Sequence, residues 1–98
     1  MAEVPSLDRL RAMRAPILEA AQGRRLSDVR VFGSVARAQE GPASDVDLLV
    51  HPAPDASVFD LAGFTDEVEQ LLGVAVDVVS DRGSGAVMDR IRAEAVPL

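Results

Sequence analysis

Two neighbouring stretches decide the fold: Val29-Arg30-Val31-Phe32-Gly33-Ser34, and then Asp45-Val46-Asp47-Leu48-Leu49-Val50. The β-branched and aromatic residues from Val29 to Phe32 predict a short strand, which Gly33 ends. Ser34 to Gln39 reads as a short helical turn, followed by a loop containing Gly41 and Pro42. Asp45 to Val50 is a second strand. Successive strand side chains point to opposite faces, so Val46, Leu48 and Val50 share one face while Asp45 and Asp47 share the other. The apolar trio belongs in a core, which leaves two carboxylates side by side.

Outward from these strands the pattern alternates. Towards the N-terminus, Ser6 is an N-cap for a helix turning Leu7, Leu10, Met13, Ile17 and Leu18 inward. Pro16 interrupts it, giving either one kinked helix or two short ones. Beyond the second strand, His51-Pro52-Ala53-Pro54 closes the element. Ser57 and Asp60 form a capping pair before Val58, Leu61, Ala62, Val68, Leu71 and Leu72, which recur at helical spacing up to a stop at Gly73. Val74 to Ser80 predicts a third strand, and a last helix runs from about Ser84 with Val87, Ile91 and Ala95 facing the core. The predicted order is α-β-α-β-α-β-α, an α/β (α+β) fold in which a small mixed sheet is covered by helices.

Composition sets the limits of this reading. The chain has 98 residues, 48% of them apolar, which suits a single domain over residues 1–98 with one core. It has no cysteine, so disulfides and thiolate metal sites are excluded and a reducing, cytoplasmic setting is expected. The opening MAEVPSLDRL is not the pattern of a signal peptide, and no apolar run approaches the ~20 residues of a membrane span. The net charge is −6, which disfavours direct nucleic-acid binding. All ten basic residues are arginine, so neither a Schiff-base lysine nor a P-loop lysine is available. A bound phosphate must be held by backbone amides, arginine or metal.

The paired acids suggest which. Two residues apart on a strand, Asp45 and Asp47 stand roughly 6.6 Å apart and repel by about 0.6 to 2.5 kcal/mol, depending on the local dielectric. A divalent cation reverses that sign, and oxygen-only ligands suit Mg²⁺ or Mn²⁺ completed by water and substrate phosphate. Alone, such a pair is equally well read as two solvated acids. Gly33-Ser34 adds a second signal. A glycine allows close backbone approach, and a serine opening a helical turn offers N–H groups and a hydroxyl to a phosphate. Asp77 lies in the otherwise apolar run Val74-Ala75-Val76-Asp77-Val78-Val79, where a carboxylate needs a partner or a metal. If this strand pairs beside the second, Asp77 supplies a third carboxylate for a two-metal clamp and can take the proton of an attacking hydroxyl. Its alternative is an ion pair with Arg30 or another arginine.

The combination Val31-Phe32-Gly33-Ser34-Val35-Ala36-Arg37, Ser44-Asp45-Val46-Asp47-Leu48-Leu49-Val50 and Val76-Asp77-Val78-Val79 resembles the minimal nucleotidyltransferase (MNT) family. That family belongs to the DNA polymerase β-like nucleotidyltransferase superfamily, and the similarity extends to the closing Ala93-Glu94-Ala95-Val96-Pro97-Leu98. The resemblance implies that Gly33 and Ser34 bind the triphosphate, that Asp45 and Asp47 ligate metal, and that Asp77 is the third catalytic acid and metal ligand. It further implies two Mg²⁺ ions, ATP as substrate, and transfer of AMP to a tyrosine of a HEPN-domain ribonuclease toxin for which the chain is the antitoxin. Ala38 departs from the pattern, since many members have glycine after the arginine.

Other residues carry less. Arg37 can neutralise a phosphate or pair with Glu40 or Asp45. His51 ends a strand and is expected to be solvated. Arg9, Arg11 and Arg14 read as a solvated helix face, and Leu71, Leu72, Val87, Met88 and Ile91 as core. Two rivals to protein adenylylation stay in view: an antitoxin that acts by binding alone, and transfer to a small molecule. Three clustered acids favour catalysis over the first. The short chain, with no separate acceptor domain, disfavours the second.

Overall fold

The computed structural model describes residues 6–39 and 45–98, so Gly41, Pro42, Glu40 and Ser44 lie outside the described residues. The Ser6 hydroxyl accepts the Arg9 N–H at 3.1 Å and starts α1 (Leu7–Ala12). The chain bends at Met13 into α2 (Arg14–Gln22), so the interruption makes two helices. The break precedes Pro16, which sits in the first turn of α2, where N–H groups lack intrahelical partners and proline is tolerated.

The strand β1 (Leu26–Phe32) begins three residues earlier than the sequence pattern indicates. The register slips between Ser27 and Arg30, where Asp28 takes a positive φ of 50°. This bulge turns Leu26, Val29 and Val31 all towards the core, which breaks strict alternation and hides the strand's first half. After the single turn α3 (Gly33–Ala36), β2 (Val46–Pro52) starts just beyond Asp45 and continues past Val50. α4 (Val58–Leu72) opens with the Ser57 N–H donating to the Asp60 carboxylate at 2.9 Å and ends at Gly73, whose φ is 71°. β3 (Val76–Ser80), α5 (Ala86–Glu94) and β4 (Val96–Pro97) complete the chain.

The sheet order is β3-β2-β1-β4, with β1 antiparallel to β2 and β4, and β2 parallel to β3. This is the expected small mixed sheet with helical cover, extended by β4. A two-residue edge strand containing proline has too little pattern to be read from sequence.

One face of the sheet holds the main core. Val31, Val46, Leu48 and Val50 meet Leu10 and Ile17 from the first helices, and Phe64, Val68 and Leu72 from α4. Several assignments change here. Phe64 is fully buried and defines the inner stripe of α4 with Val68 and Leu72, whereas Val58, Ala62 and Leu71 are exposed. Leu18 and Val87 are exposed as well, and Ala95 leaves the helix in an extended conformation. The stripe of α4 runs from Leu61 through Phe64, so adjacent apolar residues fall outside it.

Arg9, Arg11 and Arg14 are not a merely solvated face. Their guanidinium groups donate to the backbone oxygens of Leu72, Pro97 and Leu98 at 2.9, 2.9 and 3.0 Å, tying the first two helices to the end of α4 and to β4. Among the described residues no helix is long and apolar enough to cross a membrane.

Gly73 tests the local account of helix ending. A Cβ added there meets nothing within 4 Å, so the only penalty is that of a left-handed backbone. Gly73→Ala should cost about 1 kcal/mol in urea unfolding. A cost near zero would show that the turn relaxes to another conformation.

Candidate active site

Asp47 sits opposite Phe32 on β1 and opposite Asp77 on β3. Directly paired neighbours on adjacent strands are ~4.8 Å apart in the backbone, so Asp47 and Asp77 project side by side from one face. That face is opposite the main core. Val46 and Leu48 point into the core and Asp47 away from it, as the alternation requires. Asp45 is exposed just before the strand, within electrostatic reach of Asp47. The sequence-predicted trio is thus brought to one end of the sheet. Asp77 is itself exposed, so the burial cost expected for a carboxylate in its apolar strand does not arise. Its alternative partner is otherwise engaged, because Arg30 pairs with Asp28 and Asp81 at 3.4 and 3.6 Å.

Gly33 fits this end of the sheet for two reasons. Its φ is +74°, a conformation that side chains rarely adopt, and a Cβ built there would overlap the Asp47 carboxylate. The turn after β1 therefore lies directly against the acid. The Gly33 N–H does not stand open: it donates to Glu94 Oε1 at 2.9 Å. Glu94 Oε2 in turn pairs with Arg37 Nη1 at 3.0 Å, while Arg37 Nε donates to Gln39 Oε1 at 3.1 Å. Among the described residues Arg37 thus pairs with Glu94 and not with Asp45; Glu40, the other acid considered from sequence, lies outside the described residues. Ser34 is half-buried in α3 beside this junction. Ala38 has a φ of +57°, which accounts physically for glycine at this position elsewhere.

Glu94 escaped the sequence reading. It is separated from Gly33 by 61 positions. Its only local signal is a lone acid between two alanines. The last turn of helix α5 is tied down by Arg92, which donates to the backbone oxygens of Asp81 and Gly83, and by Glu94. His51 is not part of the site. One ring nitrogen lies 3.0 Å from Asp81, and His51 is four positions along the strand from Asp47, about 13 Å.

The electrostatics concentrate negative charge at Asp47. Burial pushes the Asp47 carboxyl above its ordinary range; Asp77 and Asp45 push it further, Arg37 opposes them, and Glu94 adds to the rise. Among the described residues, no three acids converge tightly enough to enclose a metal alone. Hard oxygen donors that repel one another on an open surface instead fit Mg²⁺, whose remaining ligands are water and substrate phosphate. Asp47 and Asp77, with Asp45 at the rim, are the residues that would hold it.

A stability prediction follows from the direction of the shift. A carboxyl whose folded-state pKa is raised opposes folding when ionised. That penalty is complete at neutral pH and disappears as the pH falls through the raised value towards the unfolded one. In EDTA at pH 7, Asp47→Asn should therefore be as stable as the parent or more so, with the gain shrinking towards about pH 4. A clear loss of stability at pH 7 would make Asp47 a structural acid.

Comparison with known proteins places this geometry. A family model described as a nucleotidyltransferase domain matches residues 16–96, a span that includes Gly33, Asp45, Asp47, Asp77 and Glu94. The chain is 39% identical over 67 residues to the Methanocaldococcus jannaschii protein named "Putative protein adenylyltransferase MJ0435", covering 67% of this chain and 72% of that one. A solved structure described as a "putative minimal nucleotidyltransferase" matches with a TM-score of 0.84 and 40% identity, over 96% of this chain and 97% of the other. A toxin–antitoxin crystal structure with AMP-PNP shares the fold at a TM-score of 0.71 and 19% identity, over 85% of this chain and 69% of that one. A mixed sheet with a glycine turn packed against an acid pair and a third acid on the parallel neighbour, together with these matches, leads to one assignment: the chain belongs to the nucleotidyltransferase domain family.

Proposed function

We propose that this protein is a Mg²⁺-dependent nucleotidyltransferase that transfers AMP from ATP to a tyrosine of a cognate HEPN-domain ribonuclease toxin, and so serves as its antitoxin. The observation that carries the reading is the placement of the Gly33 turn directly against Asp47, with Asp77 paired beside it. Such a placement sets a phosphate-binding turn and a carboxylate pair at one point, which a binding module does not need. The M. jannaschii relative's name refers to protein adenylylation, and the AMP-PNP structure is a toxin–antitoxin complex; both are consistent with a protein acceptor.

The chemistry is an in-line displacement. An acceptor hydroxyl oxygen forms a bond to the α-phosphorus of ATP, the bond to the bridging oxygen breaks, and pyrophosphate leaves. Asp77 takes the hydroxyl proton in this reading, which its exposure beside Asp47 supports. Asp45, Asp47 and Asp77 would hold two Mg²⁺ ions, which when bound would supply neutralisation of the phosphate charge. Ser34 and Arg37 hold the triphosphate, and Gly33 keeps the turn close enough for both. Residues 1–98 act as one domain, in the cytoplasm, without direct contact to nucleic acid or membrane.

Two measurements test this reading. Calorimetric titration should give ATP binding with Mg²⁺ or Mn²⁺ and much weaker binding in EDTA; equal affinity in both would exclude the metal site. Incubation of the purified chain with its HEPN partner and Mg²⁺–ATP should add one or more AMP units to the partner by mass spectrometry. Asp77→Asn should still form the complex while losing at least about a hundredfold in modification rate. A variant that restores growth beside the toxin without any modification would instead favour neutralisation by binding.

A further inference from the structure

Among the described residues, Glu94 is an acid at this end of the sheet that the mechanism does not use, yet it holds the Gly33 N–H and Arg37. Its two carboxylate oxygens take separate donors, the Gly33 N–H at 2.9 Å and Arg37 Nη1 at 3.0 Å. An amide N–H and a guanidinium held in this way present themselves as they would to two oxygens of a phosphate. We propose that the Glu94 carboxylate is a built-in competitor for a substrate phosphate, and that triphosphate binding takes Arg37 from Glu94. This inference rests on the nucleotidyl-transfer reading and adds a residue that sets the affinity for its substrate.

Charge and packing support the exchange. Among the described residues, the charges acting at Asp47 are the carboxylates of Asp77, Asp45 and Glu94 against the guanidinium of Arg37. With Arg37 engaged by Glu94, a polyphosphate meets an almost wholly negative surface. Once Arg37 swings to the ligand, one positive group faces the incoming charge. The exchange is easy because the Arg37–Glu94 pair is partly solvated, and such pairs are weak. The Arg37 side chain is about half exposed, so it can turn from Glu94 to a ligand while the end of α5, held by β4 and Leu98, stays in place. Pairing with Glu94 keeps Arg37 from the other acids, and the cost appears as weaker binding of the ligand.

The test uses inorganic tripolyphosphate in EDTA, titrated calorimetrically into the full chain, so that metal binding plays no part. Glu94→Gln, which keeps an acceptor for the Gly33 N–H but removes the charge, should bind tripolyphosphate roughly three- to tenfold more tightly than the parent. Glu94→Ala should do the same, which guards against failure of one variant to fold; thermal melts verify both. The gain should vanish in the Arg37→Gln background, a dependence that a merely structural role for Glu94 would not produce. Unchanged or weaker binding by folded Glu94 variants, in a parent that binds Mg²⁺–ATP, overturns the competitor and leaves the transferase reading intact. Failure of parent and variants alike to bind tripolyphosphate or Mg²⁺–ATP overturns both.

Discussion

The contact on which the site depends is between the backbone of Gly33 and the carboxylate of Asp47. The turn leaving β1 must pass over the start of β2, and it does so at a distance that leaves no room for a Cβ. A positive φ at Gly33 is part of the same constraint, because it is what bends the chain from Phe32 into α3. The antiparallel register then pairs Phe32 with Asp47, and the parallel register of β3 pairs Asp47 with Asp77. Three segments distant in sequence converge because two strand registers and one glycine agree.

Stability and function occupy different faces of the sheet. The helices α1, α2 and α4 bury their apolar stripes against Val31, Val46, Leu48 and Val50, and the arginines of the first helices fasten the far ends. The opposite face carries like charges that burial makes still less comfortable, as the raised Asp47 shows. Such an arrangement draws on the core to hold a site that is strained when empty, a common feature of sites that act on charged ligands. Phe32 and Leu49 are buried on this second face, where α5 lies against β1 and α3.

Much of this was legible in the sequence, for reasons that can be named. The apolar spacing of Val46, Leu48 and Val50 set the orientation of Asp47, and Ser57 with Asp60 marked the start of α4 by capping chemistry. Gly33 could be read as a point of close approach because glycine has few other uses between a strand and a helical turn. What escaped was non-local or irregular. The bulge at Asp28 disrupts alternation, so the first half of β1 gave no period-two signal. Phe64 was passed over because α4 has more apolar residues than its inner stripe can take, and the surplus at Val58, Phe59 and Leu71 is exposed. Glu94 reaches the site only through the return of the chain along α5, which no local pattern encodes.

The central claim is that the acid end of the sheet, and no other carboxylate of this strongly acidic chain, holds the metal–nucleotide complex. Paramagnetic broadening tests it directly: trace Mn²⁺ with a non-hydrolysable ATP analogue is added to the ¹⁵N-labelled chain, and amide signals are followed residue by residue. The account predicts that Gly33, Ser34, Asp47 and Asp77 lose intensity first, while the exposed acids Asp55 and Asp66 on the helical side keep theirs. Broadening that spreads evenly over the surface acids, or centres on Asp81 and His51, would contradict it.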